Sequence, residues 1–284
     1  MGTIWELDFY SRPLLDENQK KIWEVLVCEA PVDTQTKPEG LFRYAQFCPS
    51  DRVNSAWLRG AVEEAMAQAQ QTPQKIRFFR RAMNNMIVKA CKDMGIPAQA
   101  SRRTFALHQW LQERSLSVYP TYPNYQSVSS PAVQMEPSPI ALLPEALIAE
   151  KWAFVTLEAG VLAEMPEWEI GFGEAFPLTD LPAKALVPGI VMFSSRALPL
   201  AGWMSGIEPA FLTVESGAVA RLLLESGISD RWVLIQKLDA TAQKEAAQFV
   251  AAKEKAQGVH FLAIQASPEV EAFAGFWLLR EVEL

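Results

Sequence analysis

Apolar and polar side chains alternate near the start of the chain with the period of two that is typical of a β-strand. The segment 3–10 (TIWELDFY) shows this alternation, and the segment 22–28 (IWEVLVC) is rich in β-branched residues. A third segment, 41–47 (LFRYAQF), follows a loop that contains Pro and Gly. Three such segments separated by polar loops predict three strands that form an antiparallel meander.

The period then changes to that of an amphipathic helix. Apolar residues recur at helical spacing between Trp57 and Met66, directly after the capping candidates Asn54 and Ser55. The segment that follows, 75–79 (KIRFF), is short and predicts a fourth strand. Because side chains of a strand alternate between its faces, Ile76 and Phe78 are predicted on one face and Arg77 and Phe79 on the other, so one of the two phenylalanines is expected in the core.

A second helical face runs from residue 83 to 94, where Gly95 provides a strong stop signal. An extended piece near 98–101 precedes a third helix, for which Thr104 is the predicted cap. The resulting order, β-β-β-α-β-α-β-α, is ribonuclease H-like. We therefore predict an α+β protein whose N-terminal domain has this topology.

A segment rich in Pro, Ser and Tyr divides the chain. Residues 115–139 hold five prolines, six serines and three tyrosines, but no Gly, Lys or Arg. This composition is typical of an extended linker. It predicts an N-terminal domain over 1–114 and a C-terminal domain over 140–284. Strand-like segments in the C-terminal part, and one helix near 240–257, predict a mixed α+β domain there.

Composition and charge narrow the class of protein. With 50% apolar and 21% charged residues in 284, the chain matches a globular protein rather than a disordered one. The three cysteines form no C-x-x-C pair, and two histidines do not suffice for a convincing zinc site, so no metal or cofactor is expected. The first residues lack the features of a secretory signal, and no apolar run is long enough for a membrane span. A cytoplasmic protein is expected.

The net charge of −7 conceals a basic block. Between residues 70 and 114, nine basic residues stand against Asp93 and Glu113, which gives a local charge of +7. Screening over a Debye length of about 8 Å lets such a block keep its own sign despite acidic surface elsewhere. A local site for an anion is therefore permitted, although solvated faces of helices and strands would also account for a charge run of this kind.

The sequence contains few of the residue patterns that known enzymes use. A ribonuclease H-type nuclease holds two metals with converging carboxylates, and Asp8 with Glu63 or Glu64 would supply part of that set. Arginines stand at the end of the fourth strand, where a further carboxylate is needed, so an inactive scaffold is predicted. The sequence contains no G-x-S-x-G elbow and no phosphate-binding glycine pattern. His108 and His260 are interpreted as core or edge residues.

The strongest chemical pattern combines cations, aromatic rings and amides. Cations neutralise phosphates, aromatic faces stack on unpaired bases, and amides bond to base edges, which together suit single-stranded RNA. The predicted RNA-binding residues are Lys75, Arg77, Phe79, Arg80, Arg81, Asn84, Asn85, Arg102 and Arg103. A metal nuclease that uses Asp8 and Glu63 is the weaker alternative. A protein-binding scaffold that uses the Trp-rich C-terminal part also stays open.

Several long segments resemble one known family, the Tab/Atab family. They include WELDFYSRPLLDENQKKIWEVLVCE, FRYAQFCPSDRVNSAWLR, KIRFFRRAMNNMIVKAC, EWEIGFGEAFPL, PLAGWMSG and AFAGFWLLRE. The resemblance implies an RNA-binding translation factor of chloroplasts or cyanobacteria. It further implies binding to A/U-rich RNA in the leader of the message for a photosystem I reaction-centre subunit, in support of photosystem biogenesis. Translation or photosystem assembly proteins are further expected partners.

The resemblance carries over no residue-level binding motif. The chain departs from the plastid members because it shows no transit peptide, which implies a cyanobacterial homologue in the cytosol, at most peripheral to the thylakoids. A bacterial message need not present the same leader sequence. The candidate site therefore depends on the chemistry of the residues themselves.

Overall fold

The computed structural model describes residues 3–36, 40–126, 138–217 and 219–282, and these divide into two compact units. The first unit contains residues 3–30 and 40–126. The second contains the described residues from 138 onward, together with the short segment 31–36 from the loop after the second strand. The protein is thus an α+β protein of two units, as the sequence predicts. The boundary at residue 139 stays a prediction, whereas the first unit extends beyond residue 114.

The first unit has the predicted order of elements. It consists of β1 (Ile4–Leu15), β2 (Lys21–Glu29), β3 (Arg43–Cys48), α1 (Ser55–Ala69), β4 (Lys75–Phe78), α2 (Asn84–Asp93), β5 (Ala98–Ala100) and α3 (Phe105–Glu113). The strands form one sheet in the order β3-β2-β1-β4-β5. β2 is antiparallel to both β1 and β3, whereas β4 runs parallel to β1 and β5 parallel to β4. The ribonuclease H-like prediction is confirmed.

Alternation along β1 gives the two faces of this sheet different chemistry. Trp5, Leu7 and Phe9 are buried in a core with residues of α1 and α2. The opposite face carries Glu6 and Asp8, which are also buried. A smaller apolar cluster of residues from β2 and α3 covers this second face. Both faces of the sheet are therefore shielded, and the second one contains charged groups.

The first half of the predicted linker is folded. Residues Arg114–Val118 form a π-helical turn, and Tyr119–Thr121 form a 3-10 turn. Tyr119 is only 1% exposed, and Tyr125 pairs with Leu14 through a β-bridge. The prediction of an extended linker is therefore wrong for residues 115–126, because Tyr119 packs and bonds inside the first unit. Residues 127–137 of the segment lie outside the described residues.

The second unit is built from two sheets around one core. Its strands are β6 (Ile140–Leu142), β7 (Lys151–Glu158), β8 (Ile170–Glu174), β9 (Leu186–Phe193), β10 (Pro209–Glu215), β11 (Arg221–Ser226), β12 (Asp230–Ile235), β13 (Val259–Gln265) and β14 (Phe273–Arg280), and its helices are α4 (Ala159–Leu162), α5 (Ala197–Gly206) and α6 (Ala240–Lys255). One sheet has the order β10-β11-β12-β6, and the other has β7-β9-β13-β14-β8. Residues from both sheets, α5 and α6 share one apolar cluster.

The pattern of the sequence predicts α6 and most strands of this unit, but not α5. That helix has the sequence ALPLAGWMSG, which is apolar around most of its circumference. Only one face of α5 is buried, but apolar residues such as Leu198, which is 60% exposed, also occupy the other face. The sequence of this helix therefore shows no amphipathic period, and the helix cannot be recognised from spacing. Within the part of the chain that the structure describes, no helix is both long enough and apolar enough to cross a bilayer.

The three cysteines are free and buried, which leads to a prediction about their reactivity. Burial raises the pKa of the Cys28 thiol well above its ordinary value and that of Cys48 to about 11 and Cys91 to about 12. Because the thiolate is the reactive form, we expect none of the three to react rapidly with Ellman's reagent in the native protein at pH 8. All three should react after denaturation. Rapid release of one equivalent from the native protein would contradict this burial.

Candidate nucleic-acid interface

Two basic segments that are distant in the sequence meet at one edge of the first sheet. β4 and β5 are parallel, with Phe78 opposite Ala100, and the backbone N–H of Ser101 donates to the Phe78 carbonyl at 2.9 Å. The residues that follow β4 and those that follow β5 therefore leave the sheet side by side. In open sheets with parallel strands, ligands bind outside these carboxyl ends, beside the point where the strand order reverses. This edge is the candidate interface.

The predicted binding residues differ in exposure. Arg81 and Asn85 are exposed, whereas Lys75, Phe79, Arg80, Asn84 and Arg102 are half-buried. Arg77 and Arg103 are only 2% and 1% exposed. The prediction that these two arginines contact phosphate is therefore wrong for this structure. Arg77 lies opposite Glu6 in the register of β4 with β1, on the sheet face that α3 covers.

Phe79 is a packed side chain rather than an open stacking platform. Its ring centroid lies 4.6 Å from that of His108 and 4.8 Å from the guanidinium carbon of Arg80. It also packs against the cluster formed by β2 and α3, whereas Phe78 is the phenylalanine that is fully buried in the main core. Only part of the Phe79 ring remains for a nucleic-acid base.

Asp8, one candidate metal ligand, is bound by two arginines. Its carboxylate lies 2.8 Å from Nη1 of Arg12 and 2.6 Å from Nε of Arg80, and the Asp8 side chain is 0% exposed. Burial alone raises the pKa of Asp8, but the charges of Arg12 and Arg80 outweigh this effect and keep the pKa below its ordinary value. Asp8 is therefore an ionised carboxylate whose charge is compensated within the protein.

The carboxylates proposed for a metal nuclease do not converge. Asp8 faces the side of the sheet covered by α3, whereas α1 packs against the other side. Glu63 on α1 is about half exposed and pairs with Arg59 at 3.5 Å. Among the described residues, no group of three or more His, Cys, Asp or Glu side chains is placed to hold a metal ion. This arrangement contradicts the pairing of Asp8 with Glu63 in one metal site.

A buried ionic network continues from Asp8 across the second face of the sheet. Glu24 on β2 accepts hydrogen bonds from Arg12 Nε at 3.0 Å, from the Tyr119 hydroxyl at 2.6 Å and from Arg114 Nη2. The side chains of Arg12, Glu24 and Arg114 are 4%, 1% and 12% exposed. This network was not predicted from the sequence. A glutamate in the apolar run of β2, and an arginine on the same face of β1 as Asp8, were the available signals.

The two helices beside the interface have different N-termini. Glu6 Oε2 accepts from the backbone N–H of Leu107 at 2.7 Å and so caps α3, whereas Thr104, the predicted cap, makes no such bond. The N-terminus of α2 has no side-chain cap and no acidic residue in its first turn. Asn84 and Asn85 occupy that turn, and two residues separate them from Arg80 and Arg81. A helix N-terminus carries partial positive charge, so it adds to the attraction for an anion.

The two histidines are a core residue and a half-buried one, in agreement with the prediction of core or edge residues. His260 is 0% exposed; its Nδ1–H donates to the Gly258 carbonyl at 2.8 Å, and its Nε2 accepts from the Leu212 N–H at 2.8 Å. Burial, followed by the charge of Lys253, lowers the pKa of His260 to about 3. His108 is half-buried, and burial lowers its pKa as well. Both ring nitrogens of His260 are therefore hydrogen-bonded, and the imidazole stays neutral near pH 7.

The tryptophans of the second unit are packed. Trp277 is buried, and the other four, Trp152, Trp168, Trp203 and Trp232, are half-buried. Trp203 and Trp232 contact each other edge to face at 4.9 Å, and Trp168 packs against two phenylalanines. Among the described residues, these rings do not form an open aromatic surface of the kind that the scaffold alternative requires.

Comparison with known proteins identifies the family. Two family models match the chain, "RNA-binding protein Tab2/Atab2 N terminal" over residues 4–114 and "RNA-binding protein Tab2/Atab2, C-terminal domain" over residues 130–280. The protein named "Protein TAB2 homolog, chloroplastic" of Zea mays is 39% identical over 290 residues, which cover 98% of this chain and 71% of the relative. The protein of the same name from Arabidopsis thaliana is 38% identical over 285 residues, with 97% and 74% covered.

A solved structure found by comparison is too distant from this chain to inform its fold or function. A cryo-EM structure of the simian T-cell lymphotropic virus intasome in complex with PP2A regulatory subunit B56 gamma aligns with 43% of this chain and 44% of the matched chain. The sequence identity is 15% and the TM-score is 0.30, which is too low to support an inference. The family models and the two plant relatives, in contrast, cover nearly the whole sequence. The chain belongs to the Tab2/Atab2 family of RNA-binding proteins.

Proposed function

We propose that this protein binds single-stranded, A/U-rich RNA at the carboxyl edge of β4 and β5. One observation carries the proposal: the segments after these two strands bring arginines and amides to one edge, beside the uncapped N-terminus of α2. Arg81 and Asn85 are the exposed groups, and half-buried Arg80, Asn84 and Arg102 follow the same two strands. Lys75 lies at the other end of β4, so it would meet a more distant part of the RNA strand. In this arrangement the cations bind phosphates and the two asparagines contact base edges.

The proposed role is binding without catalysis. The Asp8 carboxylate, which would have to hold a metal in a nuclease of this topology, is compensated by Arg12 and Arg80. A divalent cation would have to displace both guanidinium groups from a buried site, which is energetically costly. RNA incubated with the protein and Mg²⁺ or Mn²⁺ is therefore expected to stay intact.

The cellular role that we propose is support for translation of the message for a photosystem I reaction-centre subunit, and thereby for photosystem biogenesis. This role is the one implied by the family resemblance. The plant relatives carry the name "chloroplastic", and for this chain we propose the cytosol of a cyanobacterium, alongside the thylakoids. Translation and assembly proteins are the partners expected there.

Charge reversal at Arg81 tests the proposed interface. We expect Arg81→Glu to weaken binding of a fluorescein-labelled, A/U-rich 20-mer about tenfold, because an attraction between an exposed guanidinium and phosphate becomes a repulsion. Fluorescence anisotropy at several salt concentrations measures this affinity. The slope of log affinity against log salt should also become shallower by roughly 0.7 for each phosphate of the single strand that the variant no longer neutralises.

Arg196→Glu is the matched control. Arg196 is an exposed arginine at the start of α5 in the second unit, so this variant has the same change in charge. It should bind RNA as the wild type does. Equal affinity of wild type and Arg81→Glu would refute the interface, and equal losses in the two variants would indicate a general effect of charge. A G/C-rich strand of the same length tests the proposed base preference in parallel.

A further inference from the structure

Arg80 is held more rigidly than an exposed phosphate-binding arginine. Asp8 Oδ1 accepts from its Nε at 2.6 Å, and Asp8 Oδ2 accepts from its Nη2 at 3.4 Å. The guanidinium carbon also lies 4.0 Å from the ring centroid of Tyr10 and 4.8 Å from that of Phe79. A two-point bond to a carboxylate and contact with two aromatic rings fix both the position and the plane of the guanidinium.

The same guanidinium is still able to bind a ligand. Of the five N–H donors of an arginine side chain, Asp8 takes two, and among the described residues no acceptor is bonded to the remaining three. The Arg80 side chain is 27% exposed, whereas that of Asp8 is 0% exposed. Solvent therefore reaches part of Arg80, while Asp8 stays behind it and does not reach the surface.

Holding Arg80 in advance favours binding. A free arginine loses much of its rotamer freedom when it binds a phosphate, and this loss opposes association. Asp8 is itself fixed by a second bond to Arg12 Nη1 at 2.8 Å, so the orientation of Arg80 is set in the unbound protein. The free donors of Arg80 lie at the edge where Arg81 and Arg102 also follow their strands.

We propose that Asp8 is a positioning residue for RNA binding, which holds Arg80 so that its free N–H groups bond to a phosphodiester oxygen of the single strand. This inference rests on the proposed function and adds a role for a buried carboxylate that does not touch the RNA. It also distinguishes Arg80 from Arg81. Arg80 provides an oriented, two-donor contact, whereas Arg81 provides charge at the surface.

The direction in which one substitution changes the RNA affinity distinguishes this role from simple charge compensation. Asp8→Asn removes a negative charge close to the RNA, so a purely electrostatic role of Asp8 predicts tighter binding. The positioning role predicts weaker binding, by roughly two- to tenfold, because the rotamer freedom of one long side chain is restored. The experiment compares RNA affinities by anisotropy for wild type, Asp8→Asn, Arg80→Gln and the double variant.

We expect Asp8→Asn to weaken RNA binding in the wild-type background and to have no further effect in the Arg80→Gln background. A purely structural role would instead reduce affinity equally in both backgrounds. Unchanged or tighter binding by Asp8→Asn, or an equal loss in both backgrounds, would overturn the proposal. Circular dichroism and thermal melts identify any variant that does not fold.

Arg80→Lys provides a second route that leaves Asp8 in place. It keeps the positive charge but lacks the planar fork, so we expect a loss of RNA affinity similar to that of Asp8→Asn. Arg196→Lys in the second unit is its control, because Arg196 is exposed and lies outside the proposed interface, and this variant should bind as the wild type does. Equal affinities of Arg80→Lys and wild type would overturn the proposal even if Asp8→Asn does not fold. The proposed function fails separately, if Arg81→Glu binds RNA normally.

Discussion

Glu24→Leu is expected to lower the free energy of unfolding of the first unit by about 3–5 kcal/mol, the usual cost of removing one partner from a buried ionic network. The substitution removes the acceptor shared by Arg12, Arg114 and Tyr119. Arg12 keeps its bond to Asp8, but Arg114 and the Tyr119 hydroxyl lose their bonds to Glu24 in a site with little access to water. Urea unfolding followed by tryptophan fluorescence measures the change.

Glu17→Leu is the matched control for this prediction. Glu17 lies exposed in the turn between β1 and β2, and a surface substitution of this kind changes stability by only about 0.5 kcal/mol. Since the two units can unfold in separate transitions, the loss should appear in the transition of the first unit only. A change below about 1 kcal/mol for Glu24→Leu would mean that the network contributes little to the fold.

Acid is expected to destabilise the second unit through His260. The pKa of this residue is about 3 in the folded protein against an ordinary 6.5, so between these values the unfolded chain binds the proton and the folded protein does not. Stability is therefore complete above pH 6.5 and falls as the pH decreases, by about 1.4 kcal/mol per pH unit once the pH is well below 6.5. Burial is the main cause, because the charged imidazole would lose its hydration.

A comparison with His260→Gln isolates this contribution from those of the carboxylates. The glutamine variant is expected to be less stable at pH 7, since it disturbs the bonds to Gly258 and Leu212. Its stability should then fall less steeply between pH 6 and 4, so the difference between the two proteins should shrink as acid is added. A difference that stays constant over this range would show that His260 does not carry the pH dependence.

The sequence predicts an element where its apolar residues recur with the period of a strand or a helix, or where β-branched residues are concentrated. The alternation of β1 and the helical spacing in α1 and α2 reveal the main core, because each element has one apolar face. The helix α5 is missed because apolar residues also occupy its exposed face, and the turns at 114–121 are missed because their prolines and serines resemble a linker. In that segment, the burial of Tyr119 favours a folded structure although the local composition is typical of a linker.

The sequence indicates where the candidate site lies, but not which of its basic residues are exposed. The segments around Arg81 and Arg102 are recognisable as basic and amide-rich, and the parallel strands bring them together. The alternation of β4 places Arg77 away from the main core, yet it cannot reveal that α3 covers that side as well. Whether an arginine is exposed or forms part of an internal network depends on long-range packing. For this reason Arg12 and Glu24 were missed.

The short segment 31–36 bears on the order in which the protein is made. Thr34 donates its hydroxyl to the Ala163 carbonyl at 3.0 Å, and the Val32 carbonyl accepts from Ala175 at 3.1 Å, so a piece of chain synthesised early belongs to the unit synthesised last. During translation this piece has to wait for more than a hundred further residues before its partners emerge from the ribosome. The second unit is thus discontinuous in sequence, and a fragment that begins at residue 138 lacks one of its parts.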